Sequence, residues 1–334
     1  MAVTIREVGE LAGVSQATAA RVLGGYGPAS PAVRAKVEAA AERLGYVPNS
    51  VARALASGLT HAVGLVVGDI ENPFFGAAAR SMSDALEERG HTVLLTNSDE
   101  DLDRERRAVE TLRARQVDAL VVAPSANGTL PHLAAAAAAA PLVLLDRVVR
   151  GLRADSVTVD NRGGARMAVE HLIEHGHRRI GLVSDNPSIS SSAERLDGYR
   201  DALGTVGLTP DDHLISLGGA TRDDGYRAAR RLLEAPDRPT ALFTANNFMT
   251  VGAMLALSDL GLRVPDDISL VGFDDLEWTT LVDPPLTVVA QPASELGVVA
   301  ADRVLARMAG GGGRPRRFKL ETTLITRASC RSIR

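Results

Sequence analysis

The chain has 334 residues, 45% of them hydrophobic and 23% charged, which is long enough for about two domains with buried cores. No apolar run approaches the ~20 residues of a membrane helix, and the N-terminus lacks the apolar stretch of a secretory signal. A single cysteine, Cys330, excludes a disulfide framework and a cysteine-based zinc site. We therefore expect a soluble, cytoplasmic protein without a membrane partner.

The net charge of −4 is unevenly distributed along the chain. Residues 1–60 hold six basic and four acidic side chains, a net charge of +2, which leaves −6 for the remainder. A basic segment on an acidic body favours a polyanionic partner for that segment alone. An asymmetry of this size also fits an ordinary solvated surface, so charge does not decide the question.

The first 60 residues carry a helical pattern with recognisable start and stop residues. Thr4 and Glu7 match a capping box, in which the two side chains satisfy free amides at a helix start. Serine, proline and glycine mark the later boundaries in the same way. The predicted segments are a helix from this box to Gly13, a second over 16–23, a third from Ser30-Pro31 to Gly45, and a short segment over 50–56.

Residues 11–23 fit a helix-turn-helix, two short helices joined by a turn that contains glycine. Its predicted core consists of Val8, Leu11, Val14 and Val22. Gln16, Ala17 and Arg21 would then project from the exposed face of the second helix. Glutamine can pair with adenine, arginine with guanine, and alanine can contact a thymine methyl. The alternative interpretation is an ordinary helical hairpin.

Between residues 62 and 274 short apolar runs alternate with longer amphipathic ones. Strands buried on both faces that alternate with helices indicate parallel sheets covered by helices. Because so long a segment exceeds one such sheet, the sequence predicts two α/β lobes with a cleft between them. The alanine run at 134–140 predicts a helix, and 310–317 a surface loop. The predicted strands are 62–67, 92–96, 119–123, 142–146, 157–160, 180–184, 215–217, 241–246 and 268–274.

Three motifs make this pattern specific: the run from Thr4 to Ser15, Gly45-Tyr46-Val-Pro48-Asn49, and Val271-Gly272-Phe273-Asp274-Asp275. Together they resemble the LacI/GalR family of bacterial transcription repressors, over residues 3 to about 326. The resemblance implies a three-helix helix-turn-helix head at 1–47, a hinge helix and linker at 48–60, and an effector-binding and dimerisation domain at 61–334. That last domain would be a two-lobed α/β body with parallel sheets, like the periplasmic ribose-binding proteins.

The resemblance also implies roles for residues of the head and hinge. In the major groove, Gln16 and Ala17 would set the sequence that is read, and Arg21 would pair with guanine. In the minor groove, Leu55 matches a leucine wedged between base pairs, and Ala52 its small neighbour. The full set of expected DNA contacts is Thr4, Ser15, Gln16, Ala17, Thr18, Arg21, Asn49, Ala52 and Leu55.

In the body, the resemblance implies an effector site at the carboxyl ends of strands, where ligands bind in open α/β sheets. Aromatic faces, carboxylates and arginines suit a polyol, so we expect a sugar or sugar-like effector. The expected partners are palindromic operator DNA, this effector and a second copy in a homodimer, with no cofactor and no metal. The expected effector contacts are Asn72, Phe74, Phe75, Asp146, Arg147, Arg195, Asn246, Asp274 and Gln291.

Four alanine or asparagine positions depart from the family pattern. Ala20 replaces a common serine, which removes one hydroxyl that contacts phosphate. Ala123 and Ala220 align where the ribose-binding pattern has an asparagine and a phenylalanine, which would leave room for a larger or less polar ligand. Asn247 replaces a common aspartate beside the expected site.

Two other functional classes share part of this pattern. A sugar-binding transport protein would share the body, but it would need an export signal and no DNA-reading head. An enzyme is the third class: His171, Glu174 and His175 match a zinc motif, although cationic residues also suit a helix C-terminus. No simple nucleotide-binding or nucleophile motif occurs. The effector, the sign of its effect, the operator and the regulated genes stay open.

Overall fold

The computed structural model describes residues 3–24, 28–46, 58–311 and 313–333. The chain divides into two compact units. The first comprises Met1–Ala62 and Gln116–Asp118, and the second comprises Val63–Arg115 and Ala119–Arg334. Within the described ranges, no helix is both long and apolar enough to cross a membrane.

The first unit contains the three predicted helices, α1 (Ile5–Ala12), α2 (Gln16–Gly24) and α3 (Pro31–Leu44). The predicted capping box begins α1: the Thr4 backbone N–H donates to the Glu7 carboxylate at 2.7 Å, and the Glu7 N–H donates to the Thr4 hydroxyl at 3.4 Å. Glycines in the left-handed conformation follow α1 and α3, as a helix C-terminus favours.

Small apolar side chains form the core of this helical unit. Leu11, predicted to belong to it, is 44% exposed, so that prediction is wrong. The inward stripe of α1 runs through Val8 and Ala12, one turn apart, and Leu11 points away from it. The buried members of the core are Val8, Ala19, Val22, Val37, Ala40 and Ala41.

The second unit contains two six-stranded sheets, one in each of two lobes. In chain order, the strands are β1 (Ala62–Val67), β2 (Thr92–Asn97), β3 (Ala119–Val122), β4 (Leu142–Leu145), β5 (Asp155–Val159), β6 (Ile180–Ser184), β7 (Ile215–Leu217), β8 (Ala241–Thr244), β9 (Ser269–Phe273), β10 (Thr287–Ala290), β11 (Arg317–Leu320) and β12 (Thr323–Ile325). The first sheet has the order β11-β5-β4-β3-β1-β2 and the second β12-β10-β9-β8-β6-β7.

Helices cover both sheets. They are α4 (Pro73–Glu87), α5 (Leu102–Ala114), α6 (Pro131–Ala139), α7 (Asn161–Glu174), α8 (Ser190–Thr205), α9 (Arg222–Leu233), α10 (Asn247–Asp259), α11 (Trp278–Leu281) and α12 (Ala293–Met308), with a 3-10 turn at Asp212–Leu214. The predicted fold class, helical head plus two parallel α/β lobes, is confirmed.

The central strands explain the apolar runs in the sequence. Every residue of β3, β4, β6, β8 and β9 is buried, because helices pack on both faces of each sheet. Strands β1, β3, β4, β5 and β11 pair in parallel, as do β7, β6, β8, β9 and β10. Strand β12 is antiparallel to β10.

The two sheets share one strand order, so each strand of the first lobe has an equivalent in the second: β1 with β6, β4 with β9, β5 with β10. The chain passes between the lobes three times, after β5, after β10 and after β11. The elements after residue 274 were not predicted, and the predicted loop at 310–317 runs into β11 at its last residue. Half-exposed β11 lacks the continuous apolar run that marks a buried strand.

Candidate functional site

The turn between α1 and α2 places the second helix close against the first. Gly9 lies at the closest approach, where a Cβ atom would be 3.1 Å from the Val14 carbonyl oxygen. Ser15 begins α2: its hydroxyl accepts from the Thr18 N–H at 3.1 Å and lies 2.9 Å from the Thr18 hydroxyl. These contacts fix the start of α2, the part of a recognition helix that meets base edges.

The outward face of α2 carries the residues predicted to read bases. Gln16 and Ala17 are exposed, and Arg21 is partly exposed one turn further along. Arg21 forms no ion pair with any residue that the structure describes, so its guanidinium is available to a partner. Three other predicted DNA contacts, Asn49, Ala52 and Leu55, lie outside the described residues.

In the second unit, the structure brings all nine predicted effector residues around one cavity between the two lobes, here called the inter-lobe cavity. Its volume is about 30 Å³, well below the roughly 300–1,000 Å³ of a typical small-molecule site, so a sugar-sized ligand needs the lobes to lie further apart than they do in this structure. Ala220 also lines the cavity, and so do five residues that were not predicted from the sequence: Asp69, Glu100, Asp185, Ser191 and Phe248.

Two equivalent strands end in aspartates with an unusual backbone. Asp146 follows β4 with φ 64°, and Asp274 follows β9 with φ 82°, the left-handed region that favours glycine. Residues held in this way cluster at functional sites. Another pair of aspartates, Asp69 and Asp185, lies just after the equivalent strands β1 and β6, without the left-handed backbone. Each lobe therefore contributes two carboxylates from the carboxyl end of its sheet.

Arg147 is bound by a carboxylate of its own lobe. Its Nη1 and Nη2 donate to the two Glu100 carboxylate oxygens at 2.5 and 2.7 Å, and Nη1 also donates to the Pro124 carbonyl at 3.0 Å. Burial lowers the pKa of Arg147, but Glu100 and then Asp146 outweigh it and raise the pKa above its ordinary value. The guanidinium is thus permanently charged and already paired.

Arg195 reaches the cavity from the second lobe. It stacks on the Phe273 ring, 3.9 Å from the centroid, and its Nε and Nη1 donate to Asn161 Oδ1 at 2.8 Å and the Ala245 carbonyl at 2.6 Å. Its Nη2 makes only a long contact of 3.4 Å, to Gln291 Oε1. The guanidinium plane is therefore fixed while one nitrogen stays weakly engaged.

Asp274 holds neighbouring amides in place. Gln291 Nε2 donates to Asp274 Oδ1, and the Asn247 backbone N–H donates to Asp274 Oδ2 at 3.0 Å. The Asn247 side-chain amide donates in turn to Asn72 Oδ1 at 2.8 Å, a direct link between the lobes. An aspartate, common at position 247 in the family pattern, would offer no such donor.

Two carboxylate oxygens in the cavity are buried without a hydrogen-bond partner, Asp146 Oδ1 and Asp185 Oδ1. Both side chains are more than nine-tenths buried. Burial raises the pKa of Asp146, with Arg147 and Arg195 opposing the effect. Because a buried acceptor without a donor is costly, these oxygens can accept hydrogen bonds from ligand hydroxyls.

The structure corrects the predicted position of Asn246 and locates Ala123 and Ala220. Asn246 does not end a strand: β8 ends at Thr244, and Asn246 is the N-cap of α10, with its Oδ1 accepting from the Met249 N–H at 2.9 Å. Its amide donates to Asp185 Oδ2 at 2.9 Å, which orients that carboxylate. Ala220 lines the cavity, whereas Ala123 is fully buried in the core of the first lobe.

The zinc-like motif lies at the end of α7, away from this cavity. The His175 Nδ1 lies 2.8 Å from the His171 carbonyl oxygen, the two rings pack 4.3 Å apart, and Glu174 is exposed. Among the described residues no group of three or more His, Cys, Asp or Glu side chains could hold a metal ion.

Comparison with known proteins matches both parts of the chain to one family. Residues 4–49 match the family of bacterial regulatory proteins called the lacI family, and residues 60–328 match periplasmic binding proteins and the sugar-binding domain of the LacI family. The chain belongs to the LacI family. It is 40% identical over 308 residues to the HTH-type transcriptional regulator GalR of Escherichia coli strain K12, covering 91% of this chain and 88% of GalR.

Solved structures of the family share the fold along the whole chain. A Lac repressor dimer bound to operator and the anti-inducer ONPF has a TM-score of 0.86 at 30% identity, covering 98% of this chain and 99% of the repressor. The transcriptional regulator CelR in complex with cellobiose has a TM-score of 0.74 at 35% identity, with the same coverage. These relatives are regulators, not enzymes.

Proposed function

We propose that this chain is a transcriptional repressor that binds a palindromic DNA operator as a homodimer and changes its DNA affinity when a sugar or sugar-like molecule binds between the lobes. One observation carries the proposal: a single chain joins the helix-turn-helix match at 4–49 to the sugar-binding match at 60–328. A transport protein would share only the second match, and the related proteins named above are regulators.

The head would bind DNA through α2, with residues 1–47 as the DNA-binding domain, 48–60 as the hinge and 61–334 as the effector and dimerisation domain. Gln16, Ala17 and Arg21 would contact bases, because they lie on the exposed start and second turn of α2. Thr4, Ser15 and Thr18 would support phosphate contacts at the helix starts, and Asn49, Ala52 and Leu55 would act in the minor groove. The protein would work in the cytoplasm, on the nucleoid when bound to operator.

The effector would act by bridging the two lobes. Asn72, Phe74, Phe75, Asp146 and Arg147 line the inter-lobe cavity from the first lobe, and Arg195, Asn246 and Asp274 line it from the second, with Gln291 at a crossing between them. A ligand held by both lobes favours one angle between them. That angle would set the spacing of the two hinges in the dimer, and so the affinity for operator.

The test has two independent parts. Selection of random duplexes by the full-length protein, followed by gel-shift titration, should yield a palindromic site bound at least ~10³-fold more tightly than random DNA. A thermal-shift screen of sugars should identify a ligand that raises the melting temperature, since it binds only the folded state. Binding without sequence preference would contradict the proposed repressor.

A further inference from the structure

The charges around the inter-lobe cavity are unbalanced. Among the described residues that line it are five carboxylates and two guanidinium groups, those of Arg147 and Arg195. The carboxylates belong to Asp69, Glu100, Asp146, Asp185 and Asp274. A site built for a sugar acid or a sugar phosphate would present cationic or N–H donors to the anion, and here most of the ionised groups repel it.

The two arginines compensate only in part, because protein acceptors already engage most of their N–H groups. Glu100 occupies the fork of Arg147 with both carboxylate oxygens, the geometry that would otherwise bind a ligand carboxylate or phosphate. Two of the three Arg195 nitrogens, Nε and Nη1, donate to Asn161 and to the Ala245 carbonyl. Two guanidinium nitrogens stay weakly engaged, Arg195 Nη2 and Arg147 Nε, and the second lies 3.3 Å from Asp146 Oδ2.

The acceptors, by contrast, are open. Asp146 Oδ1 and Asp185 Oδ1 are buried in the cavity wall, one from each lobe, and neither has a hydrogen-bond donor in the structure. Ligand hydroxyls can donate to both. An anionic ligand group would place its negative charge next to these buried carboxylates. The repulsion between like charges would weaken the binding of that ligand.

We infer that the inter-lobe cavity selects uncharged polyhydroxylated ligands against sugar acids and sugar phosphates, and that Glu100 determines this specificity by occupying Arg147. The inference rests on the proposed function, since it concerns the effector of that same site. Glu100 is a specificity residue that acts through Arg147 and through its own charge.

An unusual backbone conformation positions Glu100 beside Arg147. Asp99 and Glu100 both have positive φ, 51° and 57°, although neither is glycine. The Glu100 N–H donates to the Gly68 carbonyl at 3.1 Å, and a Cβ atom at position 68 would collide with the Glu100 carboxylate. Two left-handed residues and a neighbouring glycine are conformationally costly, which fits a position that serves binding.

The first test uses the wild-type protein and isothermal titration with matched sets of probes. Each set contains a neutral sugar, its acid and its phosphate: galactose, galacturonate and galactose 6-phosphate; glucose, glucuronate and glucose 6-phosphate; ribose, ribonate and ribose 5-phosphate. We expect a neutral member to bind at least tenfold more tightly than both of its anionic counterparts. Tighter binding of an anionic member would overturn the inference but leave the sugar-responsive regulator intact. Failure of every probe here and of every sugar in the thermal-shift screen would overturn the sugar effector itself.

The second test frees the arginine. Glu100→Gln keeps the size of the side chain and removes its charge, so the ratio of anionic to neutral affinity should rise at least tenfold. Glu71→Gln is the matched control, because it removes one carboxylate from an exposed position nearby that does not line the cavity; its ratio should not change. Ligand-free melting curves show whether each variant is folded, and Asp185→Asn gives a second route to the same shift. An unchanged ratio in both cavity variants would refute the role of the carboxylates.

Discussion

Asp146 and Asp274 show how single residues set the geometry of the inter-lobe cavity. Each takes a left-handed backbone conformation that costs a non-glycine residue on the order of 1–3 kcal/mol. The two occupy equivalent strand ends in the two sheets, so the strain is repeated in both lobes. In each lobe this turn places a carboxylate in the lining of the cavity. Replacing either by glycine would relieve the strain but remove the acceptor.

Arg21 is the residue of the head for which the expected effect is sharpest. Because it lies one turn into α2 and has no acidic partner among the described residues, it can pair with guanine. Arg21→Ala should weaken operator binding by ~1–3 kcal/mol and relax discrimination at one base pair of each half-site. Gel-shift titration on the operator and on singly substituted operators measures both effects.

The matched control for this substitution is Arg34→Ala. Arg34 lies exposed on α3, in an ion pair with Glu38, so its loss removes the same charge from the head without touching α2. It should reduce binding to operator and random DNA about equally, if at all. Should Arg21→Ala behave like this control, Arg21 contacts phosphate and the assignment to a base is wrong.

Close packing between helices α4 and α12 depends on one glycine. A Cβ atom at Gly297 of α12 would collide with the Ala78 carbonyl of α4, whereas one at Gly76 of α4 would meet nothing within 4 Å. Gly297→Ala should therefore destabilise the protein by about 1–3 kcal/mol through overpacking. Gly76→Ala should be neutral or stabilise by up to ~1 kcal/mol, because alanine is the better helix former. Urea unfolding of both variants tests the pair, and similar values for the two would contradict the packing argument.

Asp155 ties strand β5 to helix α12 and the chain before β11. Its carboxylate accepts from Arg303 at 2.7 Å, from Arg307 at 2.5 Å and from the Arg316 N–H at 2.8 Å. Burial by itself raises the pKa of Asp155, but hydrogen bonds from Arg307, the Arg316 backbone and Arg303 outweigh it and lower the pKa to about 2. Asp155→Asn should cost about 2–3 kcal/mol at pH 7, since it removes the charge that pairs two partly exposed guanidinium groups.

The pH dependence of this loss follows from the direction of the shift. A carboxylate whose folded pKa is below its ordinary 3.8 stabilises the fold above that value and loses its contribution as the pH falls through about 2. The gap in unfolding free energy between wild type and Asp155→Asn should thus be constant near neutral pH and shrink between about pH 4 and 2. Asp84→Asn, at an exposed ion pair with Arg80, is the control and should cost under ~1 kcal/mol at any pH. A gap that grows on acidification would exclude this account.

Local sequence patterns predict the elements up to residue 274 because buried parallel strands and capped helices leave signals within a few residues. The same signals place the nine predicted effector positions, most of which follow a strand or begin a helix, and the structure brings them together; their role in binding remains a prediction. Asp69 and Asp185 carried the same strand-end signal and could have been found.

Other features depend on contacts that no local pattern records. Glu100 meets Arg147 through a left-handed loop, 47 residues apart in sequence, and nothing near residue 100 indicates it. The chain returns to the first lobe after β10. There β11 pairs in parallel with β5, which lies about 160 residues earlier in the sequence. Leu11 was misplaced because a small helix buries only a narrow stripe, which spacing alone locates to within one residue.

At the scale of the whole molecule, the second unit is built to respond to a ligand between its lobes. Three chain crossings and a few direct hydrogen bonds join the lobes, among them Asn247 to Asn72, the Val148 N–H to Ser190 Oγ at 2.9 Å, and the Asn127 N–H to the Ser188 carbonyl at 2.8 Å. Contacts of this kind are few and polar compared with the cores inside each lobe. A ligand that spans the cavity can therefore change the balance between lobe arrangements with modest binding energy.

Coupling between sugar binding and operator binding must be reciprocal. It can therefore be tested without knowing whether the sugar strengthens or weakens operator binding. If the sugar changes operator affinity by some factor, saturating operator must change sugar affinity by the same factor, because both close one thermodynamic cycle. We expect a factor of roughly 5–150, the usual range for coupling free energies of about 1–3 kcal/mol. Gel-shift titration of operator with and without sugar gives one estimate, and calorimetric titration of sugar with and without operator gives the other. Random DNA of equal length serves as the control and should leave sugar affinity unchanged. A factor of one in both titrations would mean that the sugar is a ligand but not an effector. Two factors that disagree beyond error would mean that one titration has not reached equilibrium, because reciprocity holds for any mechanism.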